Sequence, residues 1–140
     1  MNKHKRTRFL IKLPYWLGIG ADALWVVGLL FPSVYAMLVG SPDFDPDIQV
    51  RLIMGVGGSL MAGWTMLLLW AVRQPIERRA VSLLTAFPVV FGISIVTLIG
   101  FLNGSTPLWL LVKTMVLFVL MITSYLLSDK LDKEEKLFVE

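Results

Sequence analysis

Apolar residues run along this chain in four long stretches, at 14–40, 48–72, 80–102 and 108–127, separated by short polar segments. Each is long enough for a helix across a hydrocarbon layer of about 30 Å, which takes about 20 residues. Inside hydrocarbon every backbone N–H and C=O needs an internal partner, so each stretch is predicted to be helical. The period-2 alternation of a membrane barrel is missing. Because the connections are short, sequential helices should be antiparallel neighbours. The expected fold is all-α, a transmembrane four-helix bundle of up-down-up-down topology forming a single domain over 1–140.

Polar positions mark the helix ends. Asp45-Pro46-Asp47 offers an N-cap, a first-turn proline and an acidic residue at the positive end of the helix dipole. Arg51 stands four residues beyond Asp47, a spacing that allows the two to pair. Thr106-Pro107 repeats the cap-then-proline pattern, and Gln74-Pro75 marks the turn into the third helix. Pro32 and Pro88 fall inside apolar stretches and should each bend the helix, because proline removes a backbone donor. Beyond Leu127, Asp129 with Lys133 and Asp132 with Lys136 have helical pairing distance, so the fourth helix is expected to continue past its apolar run.

Composition agrees with this pattern: 56% of residues are hydrophobic and 16% charged, and mean hydropathy is +0.75. These values belong to an integral membrane protein. Charge placement adds an orientation. Lys3, Lys5, Arg6, Arg8 and Lys12 precede the first stretch, Arg73, Arg78 and Arg79 lie between the second and third, and Lys130, Lys133 and Lys136 follow the fourth. The segments 40–47 and 103–107 carry no Lys or Arg. Positive residues stay on the cytoplasmic side, so both termini are expected there. The net charge of +3 then reads as a topology signal with affinity for anionic membrane lipids, not as a nucleic-acid footprint. The N-terminal apolar stretch is too long for a cleaved signal peptide, and an aspartate interrupts it.

That aspartate is the first candidate for chemistry. Counted inward from Lys12 at about 1.5 Å per residue, Asp22 lies roughly 15 Å deep, near the midplane. An intramembrane acid is costly and marks a ligand or proton site by default, although burial favours its neutral form. Trp25 shares its face one turn on. The alternative is a structural hydrogen-bonding group that ties the first helix to a neighbour. Lys113, about 9 Å into the fourth helix, either pairs with Asp22 or snorkels outward. Trp64 lies deep in the second helix and, with Trp25, either lines a pocket or packs the interior. On that second helix Gly55, Ser59 and Gly63 form a small-x3-small ladder, a face that lets helices approach closely. Trp16, Trp70 and Trp109 sit near stretch ends as interfacial anchors.

Much chemistry is excluded. The chain has no cysteine, and its single histidine, His4, lies in the N-terminal tail. No nucleophile-plus-base arrangement is present, and no second carboxylate shares the depth of Asp22. Asp43, Asp45 and Asp47 read as a solvated, helix-capping loop instead of a cation site. No catalytic residues, metal or cofactor are therefore expected.

Four short helices with an acid in the first, Gly20-Ala-Asp22-Ala-Leu-Trp25, resemble the small multidrug resistance transporters, in which a first-helix glutamate binds cations and protons. The chain departs from that pattern in having an aspartate and a long acidic outer loop. Pro42-Asp-Phe-Asp-Pro46 before a glycine-rich helix, followed by Arg73-Gln-Pro-Ile-Glu-Arg-Arg79, is similar to small bacterial four-helix membrane proteins of unassigned function. The sequence thus predicts a non-enzymatic inner-membrane protein that binds a partner helix, a lipid or a small apolar ligand, with a homo-oligomer or a partner membrane protein as its assembly. The other reading is a small oligomeric proton-coupled transporter using Asp22.

Overall fold

The computed structural model describes residues 3–137. All its regular elements are helices: α1 (Lys3–Leu30), α2 (Pro32–Val39), α3 (Ile48–Ala71), α4 (Arg79–Leu84), α5 (Phe91–Leu102) and α6 (Leu108–Leu137), with a wide helical turn, Thr85–Val90, between α4 and α5. Four of the helical segments are long and apolar enough to cross a membrane: Arg6–Leu30, Ile48–Ala71, Arg79–Leu102 and Leu108–Glu134. Most of their large apolar side chains face outward, among them Leu60, Met66, Val96 and Leu102, each more than two-thirds exposed. In water such a surface would be untenable. In a bilayer it is the solvated face.

Helix bounds differ from the apolar stretches where the chain gives its own stop signals. α1 begins at Lys3, well before the first apolar run, because Lys and Arg are good helix formers and only the run itself has to match the bilayer. It ends at Leu30, since Phe31 takes an extended backbone ahead of Pro32. α2 closes on Gly40, which is left-handed at φ 73° and donates its N–H to the Ala36 carbonyl. Pro88 has the same effect on the third stretch, where Phe87 is extended (φ −120°, ψ 122°) and the helix is interrupted.

The chain forms two compact units, Gly18–Leu68 and the remainder, Met1–Leu17 with Leu69–Glu140. In the larger unit, α4 and α5 pack antiparallel to α6. Ser82 on α4 donates its hydroxyl to the Met121 carbonyl at 2.7 Å, and Phe87 and Phe91 meet the Phe118 ring at 5.1 and 6.0 Å. Ser124 donates to the Ile11 carbonyl at 2.9 Å, tying α6 to the first part of α1. The buried side of α6 carries Leu110, Thr114, Met121, Ser124, Ser128 and Leu131. These fall on the a and d positions of a heptad, the seam of a left-handed helix pair. Its small hydroxyl residues permit close approach and cross-helix hydrogen bonds. Tyr15, Ile11, Pro14 and Ser82 complete this core, all fully buried.

In the smaller unit, α3 lies against the end of α1. A Cβ at Gly58 would meet Leu29 and Leu30 at 3.4 Å, and one at Gly57 would meet Leu29 at 3.6 Å. The loop into α3 is capped as its sequence suggests: the Val50 N–H donates to Asp47 Oδ1 at 2.8 Å. With that carboxylate occupied, Arg51 reaches Asp45 at 3.3 Å and the Pro46 carbonyl at 3.0 Å instead.

Candidate functional site

The sequence candidates divide between the units. Asp22, Trp25 and Trp64 belong to the smaller one, and Lys113 to the larger. All four side chains are half-buried. Trp25 lies edge-on to Tyr35 of α2, with ring centroids 6.0 Å apart, and Tyr35 packs on Phe44 at 4.9 Å. An aromatic column thus runs from α1 through α2 into the loop 40–47. Trp25 stands one turn from Asp22 along α1. Lys113 Nζ stands 5.7 Å from the centroid of Trp109, one turn back toward the loop end of α6.

The ladder on α3 has a clear environment. A Cβ built at Gly55 or Gly63 meets nothing within 4 Å. Ser59 between them is exposed and returns its hydroxyl to the Gly55 carbonyl at 2.9 Å. Leu52, Val56 and Leu60 flank the ladder and are 62–71% exposed. Close packing within the chain uses the neighbouring face instead, through Gly57 and Gly58.

Each unit carries a cavity. One, of about 630 Å³, lies beside the aromatic column in the smaller unit and is lined by Pro32, Met37, Phe44, Asp45, Pro46 and Arg51. The other, of about 570 Å³, lies at the basic end of the larger unit, among Arg8, Lys12, Arg73, Glu77 and Asp132. Neither Phe44 as a ring partner nor the basic cavity was legible from spacing, since both depend on segments distant in sequence.

The same end of the larger unit holds a charge network. Arg79, at the start of α4, reaches Asp129 at 3.4 Å and Asp132 at 3.0 Å on α6. The expected pairs within α6 are also formed, Lys133–Asp129 at 2.8 Å and Lys136–Asp132 at 3.0 Å. Arg78 lies 3.7 Å from the Trp70 ring centroid and donates to the Trp70 carbonyl. Arg79 therefore clamps α6 and Arg78 holds Trp70, whereas the spacing alone places both in a wet turn before the third helix. Among the described residues no three of His, Asp and Glu converge as metal ligands. Comparisons of the chain with protein-family models, with curated proteins and with solved structures found no match.

Proposed function

We propose that this chain is a non-enzymatic, multi-pass protein of the bacterial inner membrane, an up-down-up-down bundle with both termini cytoplasmic, that binds a partner helix, a lipid or a small apolar ligand within or beside its helices. Of these occupants a partner helix on α3 has the best support. The Gly55, Ser59 and Gly63 ladder lies open: among the described residues no side chain fills the notch above either glycine. Its helix is also the least buried of the four, with 17% of its apolar window covered against 28%, 22% and 22% for the others. Lipid tails fill such a notch poorly, because helix association in bilayers is driven by close van der Waals packing along small residues.

The chain has no cysteine, so Ser59→Cys gives a clean single reporter. Oxidation in native membranes should cross-link two copies through it, and Gly63→Leu in the same background should abolish the cross-link. A reporter that never cross-links counts against a second copy on this face.

A second reading, a proton-coupled transporter, is favoured by one observation: Asp22 is half-buried in the middle of an apolar helix, one turn from a Trp25 ring that packs edge-on to Tyr35. Under this reading Asp22→Asn abolishes flux while leaving the fold intact. Under the first reading the substitution is silent in any transport assay.

A further inference from the structure

We infer that the cavity at the basic end of the larger unit holds the phosphate headgroup of an anionic phospholipid. Three cations, Arg8, Lys12 and Arg73, line it against two carboxylates, Glu77 and Asp132. Asp132 is already held by Arg79 and Lys136, each at 3.0 Å. Its charge is met from beyond the basic trio, and Lys12 with Arg73 still outnumbers Glu77 along the wall. The volume of about 570 Å³ exceeds what a bare phosphate fills and lies in the ordinary range of about 300–1,000 Å³ for small-ligand sites.

The walls distinguish a lipid from a soluble anion. Phe9, Ile11 and Ile76 line the same cavity, so it joins charged and apolar surface as the boundary between headgroup and acyl chain does. Arg8 and Lys12 also lie within the helix segment apolar enough to cross a membrane, Arg6–Leu30. Trp16 and Trp70, half or more exposed in the same unit, have the character of interfacial anchors. A phosphate presented at that depth arrives attached to a lipid. Basic pockets between spanning helices suit such headgroups because each cation gains from the anionic surface. The inference rests on the membrane-spanning character of the chain and is independent of the α3 ladder.

The test uses the full chain in phosphatidylcholine nanodiscs doped with phosphatidylglycerol, with bound lipid counted by native mass spectrometry after release. Wild type should retain phosphatidylglycerol in preference to phosphatidylcholine. Lys12→Gln with Arg73→Gln should weaken that retention about thirtyfold, the effect of removing two cations each contributing about fivefold. Lys130→Gln with Lys133→Gln removes the same charge from α6 outside the cavity and should leave retention unchanged. Equal loss in the two double variants would mean diffuse surface attraction and overturn the proposal. Absence of preference in wild type would overturn it without recourse to any variant. Displacement of the lipid by millimolar inorganic phosphate would assign the cavity to a soluble anion and overturn the lipid as occupant.

Discussion

Gly100 near the end of α5 is the position where one added methyl group has the most definite consequence. A Cβ there would stand 2.7 Å from Thr106 Cγ2, 3.0 Å from its Oγ1 and 3.4 Å from its Cβ. Thr106 cannot swing aside freely, because its hydroxyl donates to the Thr97 carbonyl at 3.0 Å. The loop is held on the same spot, with the N–H groups of Ser105 and Thr106 donating to the Gly100 carbonyl at 2.8 and 3.2 Å. Overpacking of this kind costs about 1–3 kcal/mol, and losing the threonine hydrogen bond adds about 0.6 kcal/mol in a membrane setting. Alanine recovers about 1 kcal/mol of helix propensity over glycine. Gly100→Ala should therefore destabilise the α5–α6 hairpin by about 0.6–2.6 kcal/mol, the difference of those terms. Thr106→Ala alone should cost about 1 kcal/mol. In the double variant the clash is gone and propensity remains, so its stability should return close to wild type. Reversible unfolding in mixed micelles, followed by tryptophan fluorescence, measures this cycle. Additive costs, or a Gly100→Ala variant more stable than wild type, would refute the reasoning.

Other perturbations test the larger unit. Arg79→Gln removes both bridges to α6. The groups are still near water, so the loss should be modest, seen as faster hydrogen exchange over 128–137. Unchanged exchange there would show that the network does not hold the end of α6. Ser124→Ala leaves the Ile11 carbonyl without its cross-helix donor and should cost about 0.6–1.7 kcal/mol in the same micelle assay. Thr123→Ala, whose hydroxyl stays on its own helix at the Val119 carbonyl, should cost less, and a reversed order would contradict the assigned seam.

Local signals carried much of this architecture. Four apolar runs, the Asp47 cap and the Asp129–Lys133 and Asp132–Lys136 pairs are all readable within a few residues, and all appear. Long-range features were out of reach. Nothing adjacent to Arg79 announces Asp129 or Asp132 as its partners. Ser82, Ser124 and Ser128 form the buried seam, although hydropathy alone ranks them as the more polar positions of their helices. In a membrane the usual inside-outside pattern is blurred, since the lipid-facing side is as apolar as the core. The heptad spacing of small and hydroxyl residues on α6 is the signal that points inward. Thr106 shows the limit of motif reading: its cap-like position precedes a proline, yet its hydroxyl turns back to Thr97. On α3, the spacing marks the ladder of Gly55, Ser59 and Gly63, and only the packing of Leu29 and Leu30 shows that Gly57 and Gly58 take the internal face.

The most direct test of the central claim is energy transfer between donor- and acceptor-labelled copies of the full chain in bilayers, measured as lipid is added at fixed protein. If the Gly55, Ser59 and Gly63 face of α3 receives α3 of a second copy, transfer should follow a saturable dimer curve. Gly63→Leu should shift that curve by at least tenfold toward monomer, while Gly57→Ala, on the internal face, should not. Transfer that stays at the level of random proximity, or the same curve for wild type and Gly63→Leu, would contradict the account.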